Sequence, residues 1–134
     1  MKQQLFDKVD IDQNNCHIPD GTTAKEDVKQ HCAAYEQKIA DAGGIDLQIL
    51  GIGVNGHIGF NEPGSSVYTK TRLTTLTNST RLANSYEFAN ISAVPRLAIT
   101  MGIGTIIKAK KIILLAWGST KAPVIREAVE GDDT

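Results

Sequence analysis

The chain has 134 residues, 41% of them hydrophobic and 22% charged, with a formal net charge of -1, the profile of one ordinary globular domain long enough to bury a core. Lysine and arginine are scattered rather than clustered, which argues against a nucleic-acid or membrane-surface role carried by charge. The start, MKQQLFDKVD, has no signal-peptide apolar stretch, and no apolar run approaches the roughly 18 residues of a membrane span, so a cytoplasmic protein without membrane contact is the default expectation.

From the N-terminus, Leu5, Phe6 and Val9 stand at helical spacing with no capping residue before them and read as the end of a helix. HIPDG at 17–21 is turn chemistry, with Pro19 fixing φ and Asp20-Gly21 favouring a reversal. Thr23 to Glu26 fits a capping box, and Val28, Cys32, Tyr35 and Ile39 follow at spacings of four, three and four. That predicts an amphipathic helix of about 19 residues stopped by Gly43-Gly44.

A strand is predicted over Ile45–Leu50, then a glycine-rich loop, then a strand in RLTTLT, Arg72 to Thr77. A short helix is expected from Thr80 to Phe88, a buried strand or strand-to-turn segment from Leu97, and a helical turn in GTIIKAKK. IILLAWG, Ile112 to Gly118, is a near-continuous apolar run of the kind that is covered on both faces. Ser119 is the expected cap of a last helix with Val124, Ile125, Ala128 and Val129 on its apolar side and Pro123 in its first turn. Strands alternating with helices predict an α/β domain, a mostly parallel sheet with helices on both faces.

Cys16-His17 and His31-Cys32 suggest zinc, but the spacing does not support it. Neighbouring helical residues point about 100° apart, and neither half offers the clustering that preorganises a metal site. Reduced, buried or half-buried thiols are expected, and no metal.

LGIGVNGHIGFNEPGSS, residues 50–66, spells GxGxxG at Gly51, Gly53 and Gly56 after a predicted strand. A dinucleotide turn also needs a helix opening at the third glycine and an acid about 20 residues later. Gly59, Pro63 and Gly64 oppose the helix, and no acid lies between Glu62 and Glu87. What remains is a bent strand-end loop presenting Asn55, His57, Asn61 and Glu62. A carboxylate that fixes one imidazole nitrogen leaves the other free to move a proton, so His57 and Glu62 are a candidate acid/base unit. The alternative has His57 satisfying buried carbonyls in the turn. At the next strand end, GSTKA at 118–122 offers backbone N–H groups, hydroxyls and an ammonium to one point, which suits a phosphate. A capped helix with a solvated lysine explains the same residues.

The string GVNGHIGFNEPGS resembles the active-site segment of the glucosamine-6-phosphate deaminase (NagB) family. The likeness extends from LFDKVDI through HIPDG, TRLTTLT and STRLAN to AITMGIGTI and GSTKA, nearly the whole chain. It implies a Rossmann-like fold of the NagB type and a cytoplasmic aldose–ketose isomerase and hydrolytic deaminase of amino-sugar catabolism. Such an enzyme converts glucosamine 6-phosphate and water to fructose 6-phosphate and ammonia, without metal or organic cofactor. By motif, His57 acts in opening the pyranose ring, Glu62 orients and charges it, Asn55 stands beside them, and Lys121 binds the substrate phosphate. The implied partner is a small-molecule amino-sugar phosphate. The family includes monomers and hexamers, which leaves a homo-oligomer open.

The chain also departs from the family pattern. Neither the family's enolisation aspartate, in a DEY motif, nor its glycine-rich phosphate loop occurs here. Met1 aligns within a helix, and the acidic end DDT precedes the family's last strand and helices. The resemblance therefore implies one partial domain over 1–134, incomplete at both ends and inactive alone. Tyr86 stands where many members carry a phosphate-binding arginine. An allosteric set for N-acetylglucosamine 6-phosphate corresponds to Ser65, Arg72 and Thr75, with Thr74 in place of a usual lysine. Deamination of galactosamine 6-phosphate and a non-catalytic sugar-phosphate-binding module are the alternative expectations.

Overall fold

In the computed structural model, residues 1–131 are described, and Asp132-Asp133-Thr134 lie outside them. In chain order the elements are α1 (Val28–Asp41), β1 (Leu47–Gly51), β2 (Arg72–Thr75), α2 (Asn78–Ala83), β3 (Leu97–Thr100), α3 (Ile103–Ile106), β4 (Lys111–Leu115) and α4 (Ala122–Glu130). β1 and β4 pair in parallel, from Leu47 opposite Lys111 to Gly51 opposite Leu115. β2 and β3 pair antiparallel, from Arg72 opposite Thr100 to Thr75 opposite Leu97. The α/β class stands as expected; that one pair runs antiparallel is set by chain direction, which strand composition does not encode.

The turn at HIPDG forms, with Asp20 Oδ1 accepting from the N–H and hydroxyl of Thr22 at 2.8 and 2.7 Å. That turn competes for the residue expected to cap α1. Thr23 Oγ1 donates to the Asp20 carbonyl at 2.8 Å, so no capping box forms and α1 begins at Val28, with 14 residues. Its far end is as expected. Gly43 and Gly44 adopt φ of +83° and +93°, and their N–H groups bond the Ala40 and Ile39 carbonyls, both at 2.9 Å, closing the helix as a left-handed glycine pair does. Val28 and Cys32 are buried, and Tyr35 and Ile39 half-buried, on the anticipated face. Near the N-terminus only a 3-10 turn, Phe6–Lys8, takes the place of the expected helix end. α2 opens at Asn78, two residues ahead of the expected start, because Thr77 caps it. α4 opens at Ala122 behind Lys121, and Ser119 lies in a 3-10 turn without capping the helix.

Val28, Cys32, Leu50, Ile52, Val94 and Ile106 form the buried apolar set, with Asn61, Thr71, Thr80, Thr100 and Thr105 buried beside them. Buried polar groups must be bonded, and among the described residues every buried side-chain nitrogen and oxygen is. Glu36 of α1 takes up two of these threonines: its Oε1 accepts from Thr71 N, Thr71 Oγ1 and Thr105 Oγ1 at 2.8, 2.5 and 2.7 Å. Burial alone would raise the Glu36 carboxyl, but these bonds and nearby Lys70 bring it below the usual glutamate value. One carboxylate thereby ties α1 to the start of β2 and to α3.

The expectation that the IILLAWG strand is covered on both faces is not met among the described residues. Ile112, Ile113 and Leu114 are 42–45% exposed, as are Leu47 and Ile49 of β1 to similar or greater degree. The run is apolar enough for a two-sided interior position, but β4 pairs with β1 alone here. Cys16 is half-buried, Cys32 buried, and neither is in a disulfide; the His31 ring is occupied, Nε2 accepting from the Asp20 N–H at 2.9 Å. No described helix is long and apolar enough to cross a membrane.

Candidate active site

Because β1 and β4 are parallel neighbours, their carboxyl ends at Gly51 and Leu115 lie side by side, where open α/β sheets receive ligands. The loops leaving the two strands, with α2 and the turn after it, line a cleft of about 450 Å³ whose lining includes Gly53, Asn55, His57, Thr80, Tyr86 and Lys121. The two strand-end segments singled out in the sequence thus meet. A larger cavity of about 720 Å³, beside α1 and β2, is lined by Glu36 and Arg72 but by neither His57 nor Lys121.

After β1 the chain makes turns and isolated bridges, Ile52 with Ile58 and Ile58 with Asn61, rather than a helix. The GxGxxG glycines serve a different end. The His57 ring lies so close over Gly53 that a Cβ there would stand 2.2 Å from Nδ1 and Cε1. Gly56, at φ +89°, turns the chain so that its N–H bonds the Gly53 carbonyl at 3.1 Å.

Three side chains form a relay. Asn55 Nδ2 donates to Glu62 Oε2 at 2.7 Å, and Asn55 Oδ1 lies 2.7 Å from His57 Nδ1. An ionised carboxylate only accepts, so it must take the amide's N–H end, and the oxygen end is left to receive a proton from Nδ1. The network therefore assigns the Nδ1–H tautomer and leaves Nε2 as an acceptor, with no hydrogen bond to it among the described residues. Glu62 Oε2 itself stands 3.8 Å from Nδ1, beyond hydrogen-bond distance. The carboxylate acts on the imidazole through the amide and through space, and not by the direct bond the sequence suggested.

Glu62 is held on its other side by Thr77 Oγ1 and Thr80 Oγ1, which donate to Oε1 at 3.1 and 2.5 Å. Burial would raise its pKa from the ordinary 4.5, but the bonds from Thr80, Asn55 and Thr77, with the adjacent His57, lower it. The stabilisation that accompanies a depressed carboxylate is fully present above the ordinary value and is lost as pH falls through the folded value. Thr80→Val keeps the shape and removes one donor to a charged acceptor, so it should destabilise the protein by about 1–2 kcal/mol at neutral pH. The acid-unfolding midpoint, followed by circular dichroism, should move to higher pH.

Sequence spacing did not assign Thr77 or Thr80 to the site, and it picked out Gly53 only as part of the GxGxxG pattern, without its role under the His57 ring. The signal for the threonines was present: Thr77 followed three residues later by Thr80 is a helix N-cap pattern, and both hydroxyls face back to Glu62. Lys121 is half-buried in the cleft lining, in no ion pair among the described residues. Ser65, Arg72 and Thr75 make no hydrogen bond to one another among the described residues. Arg72 Nη1 donates to Asn61 Oδ1 at 2.8 Å, the Ser65 N–H bonds the Glu62 carbonyl at 3.0 Å, and Thr75, three residues beyond Arg72 on a strand, faces the other side of it.

All of residues 1–134 match the family described as glucosamine-6-phosphate isomerases/6-phosphogluconolactonase. A glucosamine-6-phosphate deaminase of Thermoanaerobacter sp. (strain X514) is 53% identical over 134 residues, which is 100% of this chain and 52% of that protein. The one from Shewanella loihica (strain ATCC BAA-1088 / PV-4) is 55% identical over 131 residues, covering 98% and 48%. The chain thus spans about half the length of the curated relatives it matches. A solved structure of a monomeric glucosamine-6-phosphate deaminase superposes with a TM-score of 0.94 at 42% identity, over 100% of this chain and 55% of that one.

Proposed function

Since the chain belongs to the glucosamine-6-phosphate isomerase/6-phosphogluconolactonase family along its whole length, we propose that its cleft opens the ring of an amino-sugar phosphate, as part of a protein that converts glucosamine 6-phosphate and water to fructose 6-phosphate and ammonia. One observation carries this reading: the His57–Asn55–Glu62 relay holds Nδ1 protonated and presents an accepting Nε2 on a residue that lines the same cleft as Lys121.

In the pyranose, Nε2 takes the proton of the anomeric hydroxyl. The C1–O5 bond breaks as the C1=O1 carbonyl forms, and the proton held on Nε2 passes to O5. During that transfer the ring is briefly an imidazolium. The Glu62 charge, kept ionised by Thr77, Thr80 and Asn55, favours that cation electrostatically. Lys121 supplies the positive charge for the phosphate. The subsequent proton transfer from C2 to C1 needs a base outside this relay; the resemblance assigns it to an aspartate in a motif this sequence does not contain.

Ammonia release from glucosamine 6-phosphate by the full-length protein tests the reading. A higher kcat/KM on galactosamine 6-phosphate would change the sugar and keep the chemistry. Sugar-phosphate binding by calorimetry with no turnover would leave a binding module in its place.

Tyr86 lines this cleft and is mostly exposed. Tyr86→Arg should add a cation on the phosphate side worth about 1 kcal/mol at such an exposed position, lowering KM about fivefold with kcat little changed. Steady-state kinetics on glucosamine 6-phosphate check this.

A further inference from the structure

His57 and Glu62 flank a four-residue turn, Ile58 to Asn61, and that turn is closed from within by its last residue. The Asn61 N–H donates to the Ile58 carbonyl at 3.0 Å, and the Asn61 side chain donates to the same carbonyl, also at 3.0 Å. The chain entering the clasp is His57 and the chain leaving it is Glu62, so its dimensions bear directly on the separation of the two groups.

The clasp is also fastened from outside. Asn61 Nδ2 donates a second bond to the Met101 carbonyl at 2.8 Å, and Phe60 N donates to Thr100 Oγ1 at 3.0 Å. Both anchors lie at the end of β3. Arg72 at the start of β2 completes the set by donating to Asn61 Oδ1. Asn61 is 3% exposed, far from the solvated asparagine expected of a surface loop. A guanidinium only donates, so its bond to Oδ1 dictates which way the amide lies and aims both Nδ2 hydrogens at the two carbonyls. The neighbouring Thr71 is held in turn by Glu36. The turn is therefore built on three elements of the sheet-and-helix scaffold.

We infer that Asn61 is a positioning residue, which through its clasp on Ile58 and Met101, with the amide oriented by Arg72, sets the His57–Glu62 geometry on which the relay depends. Neither residue touches the cleft: both act through the placement of their neighbours. The inference rests on the proposed reaction for its kinetic consequence, but not for its structural one.

Asn61→Asp in the full-length protein is isosteric and replaces the two donated bonds by oxygens facing carbonyl oxygens, while keeping an acceptor for Arg72. The relay should loosen, and kcat for glucosamine 6-phosphate should fall about 100-fold, the penalty of a misplacement near 1 Å, with KM within about threefold. The imidazole 15N shifts of His57, read without substrate, should change from the Nδ1–H tautomer to a mixture. Arg72→Gln, which removes the orienting cation and leaves Asn61 itself intact, should give the same tautomer change in weaker form, and Arg72→Lys should restore part of it. An unchanged tautomer in folded Asn61→Asp and Arg72→Gln proteins would overturn the inference, even with a lower kcat. If Asn61→Asp does not fold, the two Arg72 variants decide alone. Should the parent turn over no sugar phosphate, the proposed reaction fails while the tautomer comparison still tests the positioning role.

Discussion

His57→Gln should lower kcat on glucosamine 6-phosphate by about 10²–10⁴-fold, the usual worth of a positioned acid–base group. Glutamine can still offer an N–H toward Asn55 Oδ1 and fill much of the space over Gly53, so the relay's hydrogen bonding and the cleft's shape survive. What is lost is the titratable Nε2. Lys121, on the other strand-end segment, is untouched, and KM should stay within a few-fold. Ring opening also proceeds without help, so the residual rate should approach the spontaneous formation of the open-chain sugar. Steady-state and single-turnover kinetics on the full-length variant measure both effects. An unchanged kcat would remove His57 from the reaction.

Gly53→Ala should be nearly as damaging to activity although it adds a single methyl group. An added Cβ would meet the imidazole at 2.2 Å from Cε1 and Nδ1 and 2.6 Å from Nε2, distances that cannot persist. The His57 side chain is 19% exposed, so it has somewhere to go, and it should swing away from Asn55. A misplacement of this order lowers kcat/KM by about 100-fold, while the escape of the ring keeps the loss of stability below the 1–3 kcal/mol or so typical of overpacked cores. A thermal double-mutant cycle with His57→Ala should show the stability effect of Gly53→Ala vanish when the ring is absent. Full activity in Gly53→Ala would show that the loop can yield without moving the ring.

The α/β class, the turn at HIPDG, the glycine stop after α1 and the two strand-end segments themselves were all readable in the residues. Each is encoded locally, by φ preference, apolar period or strand-end position. The structure departs from the local pattern where one side chain has two partners to choose from. Thr23 matches a helix cap but bonds Asp20 instead, and Thr77 matches a strand terminus but caps α2. The direct imidazole–carboxylate bond was the natural expectation for His57 and Glu62, and only the fold shows an amide between them. Nothing in the spacing of Asn55, His57 and Glu62 reports that interposition. Burial of Asn61 was equally hidden, because it depends on Arg72, Thr100 and Met101, which are distant in sequence.

A carboxylate in direct contact with imidazole can share or accept its proton, whereas a neutral amide neither ionises nor relays a charge at ordinary pH. Asn55 is therefore an insulator: it transmits orientation and field from Glu62 but blocks the passage of protons. Any proton taken up at Nε2 has no exit inward, and it leaves by the face through which it arrived. In the proposed ring opening the substrate would then receive back at O5 the proton it surrendered at O1, and the net charge of the His57–Asn55–Glu62 set would be the same before and after.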